Sequence, residues 1–252
     1  MNFIIIFITL FRMSSNKIDY IMLFDTSGSM QNLYANGYVK QAGQAFLENI
    51  KEKNPEKNVV FASFSHIITI DKPITAKDAI FPDYSADPQG MTALYKAVCE
   101  SVNAFSLSDK GVLLIITDGC NTTYDEYKRD FQETLSKIQK VGWEVCFIGS
   151  DQNVVKSGID SGIPARCCAS FDSSKPETLV YLSRAVSQTV SSQVAGVQLD
   201  IRSLSMPYRF HSKSSDVLLE EVILPIEPLL QAPFSPPIYG SVSTLRRSVC
   251  GD

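Results

Sequence analysis

Residues Asp25-Thr26-Ser27-Gly28-Ser29-Met30 place one carboxylate and two hydroxyls within a single short segment. All three are hard oxygen donors, and a turn that gathers them makes a cluster suited to a hard cation such as Mg²⁺. Gly28 is expected to give the backbone the freedom that such a turn needs. Two distant segments carry matching groups. Thr92, within Gly90-Met91-Thr92-Ala93-Leu94, adds a hydroxyl, and Asp118, within Thr117-Asp118-Gly119, adds a second carboxylate. The competing reading of Asp25, Ser27 and Ser29 is a turn capped by its own side chains, their oxygens bonded to backbone amides.

The elements around these groups decide whether they can meet. Ile18-Asp19-Tyr20-Ile21-Met22-Leu23-Phe24 is an apolar, strand-like run that ends at Asp25, and Leu113-Leu114-Ile115-Ile116-Thr117 is a second that ends at Asp118. Both have the composition of strands buried on two faces. In a doubly wound sheet of order 3-2-1-4-5-6 the first and fourth strands are neighbours where the winding reverses, so the loops after them share one crevice. Asp25, Ser27, Ser29, Thr92 and Asp118 then converge there, with both carboxylates expected to face solvent at the strand ends.

The rest of the pattern supplies that sheet. Val39, Ala42, Gly43, Phe46 and Ile50 recur at helical spacing and stop before Asn54-Pro55, a helix terminator. Residues 58–64 and 66–70 read as two strands too close together for a parallel crossover, which predicts a hairpin with the third strand antiparallel at the sheet edge. Residues 71–91, with Pro73, Pro82 and Pro88, read as a long surface loop that presents Thr92. Helices follow at Leu94, Val98, Val102 and Phe105, at Phe131, Leu135 and Ile138, near residues 151–159, and at Leu179, Leu182, Val186 and Val190. Further strands are expected at Trp143 to Ile148 and near Ala165 to Phe171. The alternation predicts an α/β, doubly wound, mainly parallel six-stranded Rossmann-like sheet with helices on both faces.

At this level the chain resembles a von Willebrand factor A domain with a metal-ion-dependent adhesion site, on Asp25-Thr26-Ser27-Gly28-Ser29, Thr92 and Thr117-Asp118-Gly119 in that order. Gly90-Met91-Thr92-Ala93-Leu94-Tyr95 and Gly142-Trp143-Glu144-Val145-Cys146-Phe147-Ile148-Gly149 look like segments of the stand-alone intracellular branch of that family, found in microbes and their viruses. The likeness spans residues 17 to 190. It implies that Ser27, Ser29 and Thr92 coordinate Mg²⁺ or Mn²⁺ through their hydroxyls, with Asp25 and Asp118 acting directly or through water. A remaining position on the metal would take an Asp or Glu side chain from a partner protein, in an adaptor or regulatory role without catalysis. Two other functions stay open: a Mg²⁺-dependent hydrolase or phosphoryl-transfer enzyme, and a structural assembly component that does not use the metal. Against the enzyme, no GxxxxGK[ST], GxSxG or Asp-x-Asp segment is present, and His66 is the one plausible imidazole base in the core region.

Composition bounds the remaining classes. A net charge of −4 gives no basic stripe for a phosphate backbone, which argues against nucleic-acid binding. Six cysteines include the adjacent pair Cys167-Cys168 and form no CxxC, which suggests reduced thiols and a cytoplasmic protein rather than a secreted or virion one. Asn121-Thr122-Thr123 fits a glycosylation sequon, relevant only to a secreted chain. Gly149-Ser150-Asp151 falls at the same sheet edge as the metal motif and is expected to help shape its rim.

Three regions are expected: residues 1–16 as an apolar extension, 17–192 as the domain, and 193–252 as a Pro/Ser-rich extension, partly disordered. The apolar run from Asn2 to Phe11 is far shorter than the roughly 20 residues of a spanning helix, so no membrane span is expected. It reads as sequence upstream of a true start at Met13, a weak secretory signal or an extra packed strand. The acidic-apolar run Asp216 to Leu224 can add an edge strand. From Pro225 onward the chain reads as a mobile tail, a partner-docking arm or a solvated segment without a role. Nothing in the sequence sets an oligomeric state.

Overall fold

A computed structural model describes residues 17–191 and 199–204. Its first strand, β1 (Ile18–Asp25), is buried along its whole length, as a continuous apolar run requires when a sheet is covered on both faces. β2 (Asn58–Phe64) and β5 (Leu107–Thr117) run parallel to it on either side. β6 (Trp143–Gly149) and β7 (Cys168–Ser170) extend the parallel sheet beyond β5. β3 (Ile68–Ile70) turns back antiparallel to β2 at the opposite edge. The order β3-β2-β1-β5-β6-β7 matches the expected six strands and their winding.

A seventh strand was not expected. β4 (Ile74–Thr75) pairs antiparallel with Asn58 and Val59 at the start of β2. The segment after it is no simple surface loop either: Ala76, Ala79 and Phe81 are buried.

Six helices cover the sheet: α1 (Gln31–Ala35), α2 (Tyr38–Lys53), α3 (Leu94–Asn103), α4 (Lys128–Lys140), α5 (Gln152–Asp160) and α6 (Glu177–Ser191), counted among the described residues. The two-residue period of a strand sends alternate β1 side chains to opposite faces. Tyr20, Met22 and Phe24 join the core under α2 and α6, while Ile21 and Leu23 join the core under α3, α4 and α5. On the first face, the Phe81 ring meets Phe24 edge-on at 4.9 Å and Phe61 at 5.7 Å. Gly43 of α2 makes room for it, since a β-carbon there would lie 2.1 Å from the ring.

Element ends differ from expectation in ways that packing explains. α3 stops at Asn103, and β5 begins at Leu107 to pair with Ile18 before its register shifts. The sixth strand keeps only Cys168–Ser170, because Ala165–Cys167 forms a 3₁₀ turn. Leu199 and Ile201 are buried in the same core as α6, and the Ile201 amide donates to the Arg166 carbonyl at 2.7 Å. No helix among the described residues is long and apolar enough to cross a membrane. The expectations for residues 1–16, including Met13, and for the Asp216 to Leu224 run and the tail lie outside the described residues.

Candidate metal centre

β1 and β5 end side by side, and the residues that close them begin the site. Asp25 ends β1 and has no exposed surface. One of its carboxylate oxygens accepts the Ser27 amide at 2.7 Å, and the other accepts the hydroxyl of Thr117, the last residue of β5, at 2.5 Å. The side chain is therefore held from its own loop and from the neighbouring strand. This corrects the expectation of a solvent-facing Asp25: Gly28–Met30 folds as a 3₁₀ turn beyond the strand end, and Ser27 and Met30 are buried with it. Burial pushes the Asp25 carboxyl up to about 6, although the Thr117 and Ser27 hydrogen bonds favour its charged form. Asp118 is half-buried and is also shifted upward, chiefly by desolvation and against the hydrogen bond from Ser29.

The hydroxyls complete the cluster. Ser29, exposed at the mouth, donates to Asp118 Oδ1 at 2.6 Å, and its oxygen lies 3.2 Å from that of Ser27. Thr92 is buried, with its amide donating to the Thr122 hydroxyl and its carbonyl accepting the Thr122 amide, both at 2.9 Å. Its Oγ1 borders Gly119, 3.3 Å from where a β-carbon would stand, and Ser29 Oγ lies 3.9 Å from the same point. These contacts bring Asp25, Ser27, Ser29, Thr92 and Asp118 close together at the carboxyl edge of the sheet.

Gly28 serves the site by being small. Its φ is not positive, contrary to the expected need for turn freedom. A β-carbon there would approach the Pro88 carbonyl oxygen to 2.6 Å. Close approach lets the Gly28 amide reach the Gly90 carbonyl at 3.0 Å, while the Asp87 amide reaches the Thr26 carbonyl at 2.7 Å. The loop that presents Thr92 is therefore laced to the loop that presents Ser27 and Ser29.

Several supporting residues escaped the sequence reading. Thr117 belongs to the Thr117-Asp118-Gly119 segment, and its hydroxyl anchors Asp25. Tyr34, whose hydroxyl donates to the Asp25 carbonyl at 2.9 Å, sits on the short α1 without any motif to mark it. Ser150 donates to the Asp118 carbonyl at 2.9 Å, in keeping with a rim position. Its neighbour Asp151 instead caps α5, accepting the amides of Asn153 and Val154. The sequon asparagine is structural: Asn121 accepts the Tyr95 amide and donates to Thr123 and Asp125. His66 lies on the turn between β2 and β3, 3.5 Å from Asp87.

The chemistry of the donor set fits a hard cation. Among the described residues no three His, Cys, Asp or Glu side chains form a metal cluster, and the candidate donors are two carboxylates and three hydroxyls. Oxygen donors alone remain, and Ser29 can give its proton to Asp118 while keeping lone pairs for a cation. Tyr34, half-buried beside Asp25, has its phenol pushed upward by desolvation and stays a neutral donor.

No family model and no curated protein matches the chain. Solved structures do. A von Willebrand factor type A protein from Catenulispora acidiphila aligns with a TM-score of 0.52 and 11% identity, over 70% of this chain and 43% of that one. The pilus adhesin SpaC of Lactobacillus rhamnosus GG, in an open conformation, aligns with a TM-score of 0.53 and 16% identity, over 69% of this chain and 30% of that one. Proximal thread matrix protein 1 of the mussel byssus, with a zinc-occupied MIDAS motif, aligns with a TM-score of 0.49 and 18% identity, over 67% of this chain and 47% of that one. The chain spans less than half the length of each of these proteins. The arrangement of its sheet and helices, shared with the Catenulispora structure over seven-tenths of its residues, is the fold of a von Willebrand factor A domain.

Proposed function

We propose that this chain is a metal-dependent protein-binding module that captures an Asp or Glu side chain of a partner protein. The observation that carries the proposal is the chain of oxygens in which Ser29 meets Asp118 at 2.6 Å and Ser27 at 3.2 Å, with Asp25 bound to the Ser27 amide and Thr92 beside Gly119. In this reading those five residues hold Mg²⁺ or Mn²⁺. When bound, the cation supplies a Lewis-acidic position for a carboxylate oxygen.

The protein's own groups explain why that position would remain attractive. Three of the five donors are neutral hydroxyls, which leave more of a divalent charge uncompensated than carboxylates would. Thr117 and Ser27 hold Asp25 in place, and Ser150 fixes the backbone of Asp118. The donors are thus positioned before a partner arrives, and such preorganisation lowers the cost of binding. A non-catalytic role agrees with His66, which lies on the β2–β3 turn beside Asp87. A cytoplasmic location belongs to the same proposal, supported by the buried free thiols of Cys99, Cys146, Cys167 and Cys168.

The test is affinity capture with the full chain as bait, in Mg²⁺, in Mn²⁺ and in EDTA, repeated with Asp118→Ala. The expected result is a partner retained with either cation and lost with EDTA or the variant. Retention in EDTA and by the variant, equal to that of the parent in either cation, would overturn the proposal.

A further inference from the structure

Two bulky apolar side chains stand in solvent beside the site: Ile67 is 62% exposed and Met91 50%. Ile67 occupies the tight turn between β2 and β3, where Gly, Asn, Asp, Ser or Pro would be the usual choice. The turn is fixed, with the Ser65 amide bonded to the Ile67 carbonyl at 2.9 Å and the Ile67 amide to the Ser65 hydroxyl at 3.3 Å. Met91 precedes Thr92 directly, and methionine suits surfaces that must adapt to a partner.

These two residues belong to one surface. The Ala93 amide donates to the Ser65 carbonyl at 3.1 Å, and a β-carbon on Gly90 would stand 2.7 Å from that of Ser65. The segment carrying Met91 and Thr92 is therefore laid against the turn carrying Ile67. That turn follows β2, whose last residue, Phe64, is paired in register with Asp25.

Charge around the cluster narrows the partner further. Asp87 lies beside this turn, Asp118 is in the site, and Asp151 adds its negative field to Asp118. Lys96, on the first turn of α3, is held over the Tyr124 ring at 4.4 Å and 3.8 Å from Glu100. A partner with several acidic groups would meet repulsion from these carboxylates once the first group had been placed.

We infer that the site selects a lone Asp or Glu flanked by a bulky apolar residue, which rests on Ile67 and Met91, and rejects acidic runs. This rests on the metal-dependent reading above and adds the chemical context of the captured carboxylate. Covering the two side chains removes apolar surface from water, which is worth about fivefold or more in affinity.

The test uses three acetylated, amidated peptides with cores Leu-Glu-Leu, Gly-Glu-Gly and Glu-Glu-Glu, titrated by NMR into the full chain in Mg²⁺ and in EDTA. The expected result is at least about fivefold tighter binding of Leu-Glu-Leu in Mg²⁺. The double variant Ile67→Ser, Met91→Ser should erase that preference while keeping its calorimetric affinity for Mg²⁺. Equal affinity for the three peptides, a preference that survives the double variant, or no binding of any peptide would overturn the inference. Leu-Glu-Leu binding unchanged in EDTA would instead overturn the metal-dependent reading on which it depends.

Discussion

The Thr117 hydroxyl donates to the Asp25 carboxylate at 2.5 Å, joining the last residues of two neighbouring parallel strands that are 92 positions apart in the chain. Replacing it with the isosteric Thr117→Val removes the donor and keeps the shape. A hydrogen bond to a charged group is worth about 1.5–3 kcal/mol. The expected outcome is a loss of roughly that size in urea unfolding at pH 7, with weaker Mg²⁺ binding by calorimetry.

The burial of Asp25 fixes the sign of a pH effect. Its carboxyl titrates at about 6 in the folded, metal-free protein against 3.8 ordinarily, so between these values the folded state binds more protons than the unfolded one. The contribution of Asp25 to stability is then greatest below the lower value and declines as pH rises through the upper one, by on the order of 3 kcal/mol. Asp25→Asn should remove that decline, leaving the metal-free variant more stable than the parent above pH 7. Urea melts of both proteins from pH 4 to pH 8 in EDTA check the slope, and parallel curves would refute it.

Cation binding requires that same proton to leave. Mg²⁺ should therefore raise the melting temperature more at pH 8 than at pH 5. Asp25→Asn and Asp118→Ala should abolish the increment at both values. Thr92→Ala removes a neutral donor and should retain part of it while losing the partner. Differential scanning calorimetry at fixed protein concentration reads the increments, and the affinity capture above reads the partner.

Gly43→Ala reverses an ordinary rule. In an exposed helix interior the change gains about 1 kcal/mol. Here the added carbon would stand 2.1 Å from the Phe81 ring, and overpacking of this kind costs about 1–3 kcal/mol. The variant should be less stable than the parent by equilibrium unfolding. The paired change Gly43→Ala, Phe81→Leu should recover part of the loss.

Thiol reactivity should divide sharply. Cys120 is exposed, whereas Cys99, Cys146, Cys167 and Cys168 are buried. Burial pushes the Cys167 thiol up to about 11 and that of Cys168 to about 12. Native alkylation with iodoacetamide, mapped by mass spectrometry, should modify Cys120 within minutes and spare Cys99, Cys146, Cys167 and Cys168, while Cys250 lies outside the described residues. Rapid labelling of Cys146 would mean that the β6 region opens far more readily than its packing allows.

The strand order and winding were legible because β1, β6 and residues 112–116 of β5 are largely apolar runs, and such runs admit few arrangements once helices alternate with them. The placement of Asp25 and Asp118 at the ends of two neighbouring strands was legible for the same reason, since each closes a recognisable apolar run. The burial of Asp25 was not legible. It depends on how the Ser27–Met30 turn closes, which in turn depends on contacts between Gly28 and the Pro88–Gly90 segment. That segment's prolines and aspartates read as solvent-facing, because composition does not reveal that Phe81 has a notch waiting for it on α2. β4 was missed because two residues carry no periodicity.

The central position of β1 also has a cost during synthesis. It is the first strand made among the described residues, yet its β5 side stays open until the chain has grown past Thr117, since the two pair in parallel along most of their length. Parallel partners so far apart close slowly, and an unpaired apolar strand edge invites association in the meantime. A chain stalled on the ribosome between α3 and β5 would thus carry half a sheet and none of the completed oxygen cluster. Cation binding would report the end of folding and could not template its beginning. Pulse proteolysis of stalled chains with and without Mg²⁺ should accordingly show no protection by the metal before Asp118 has emerged.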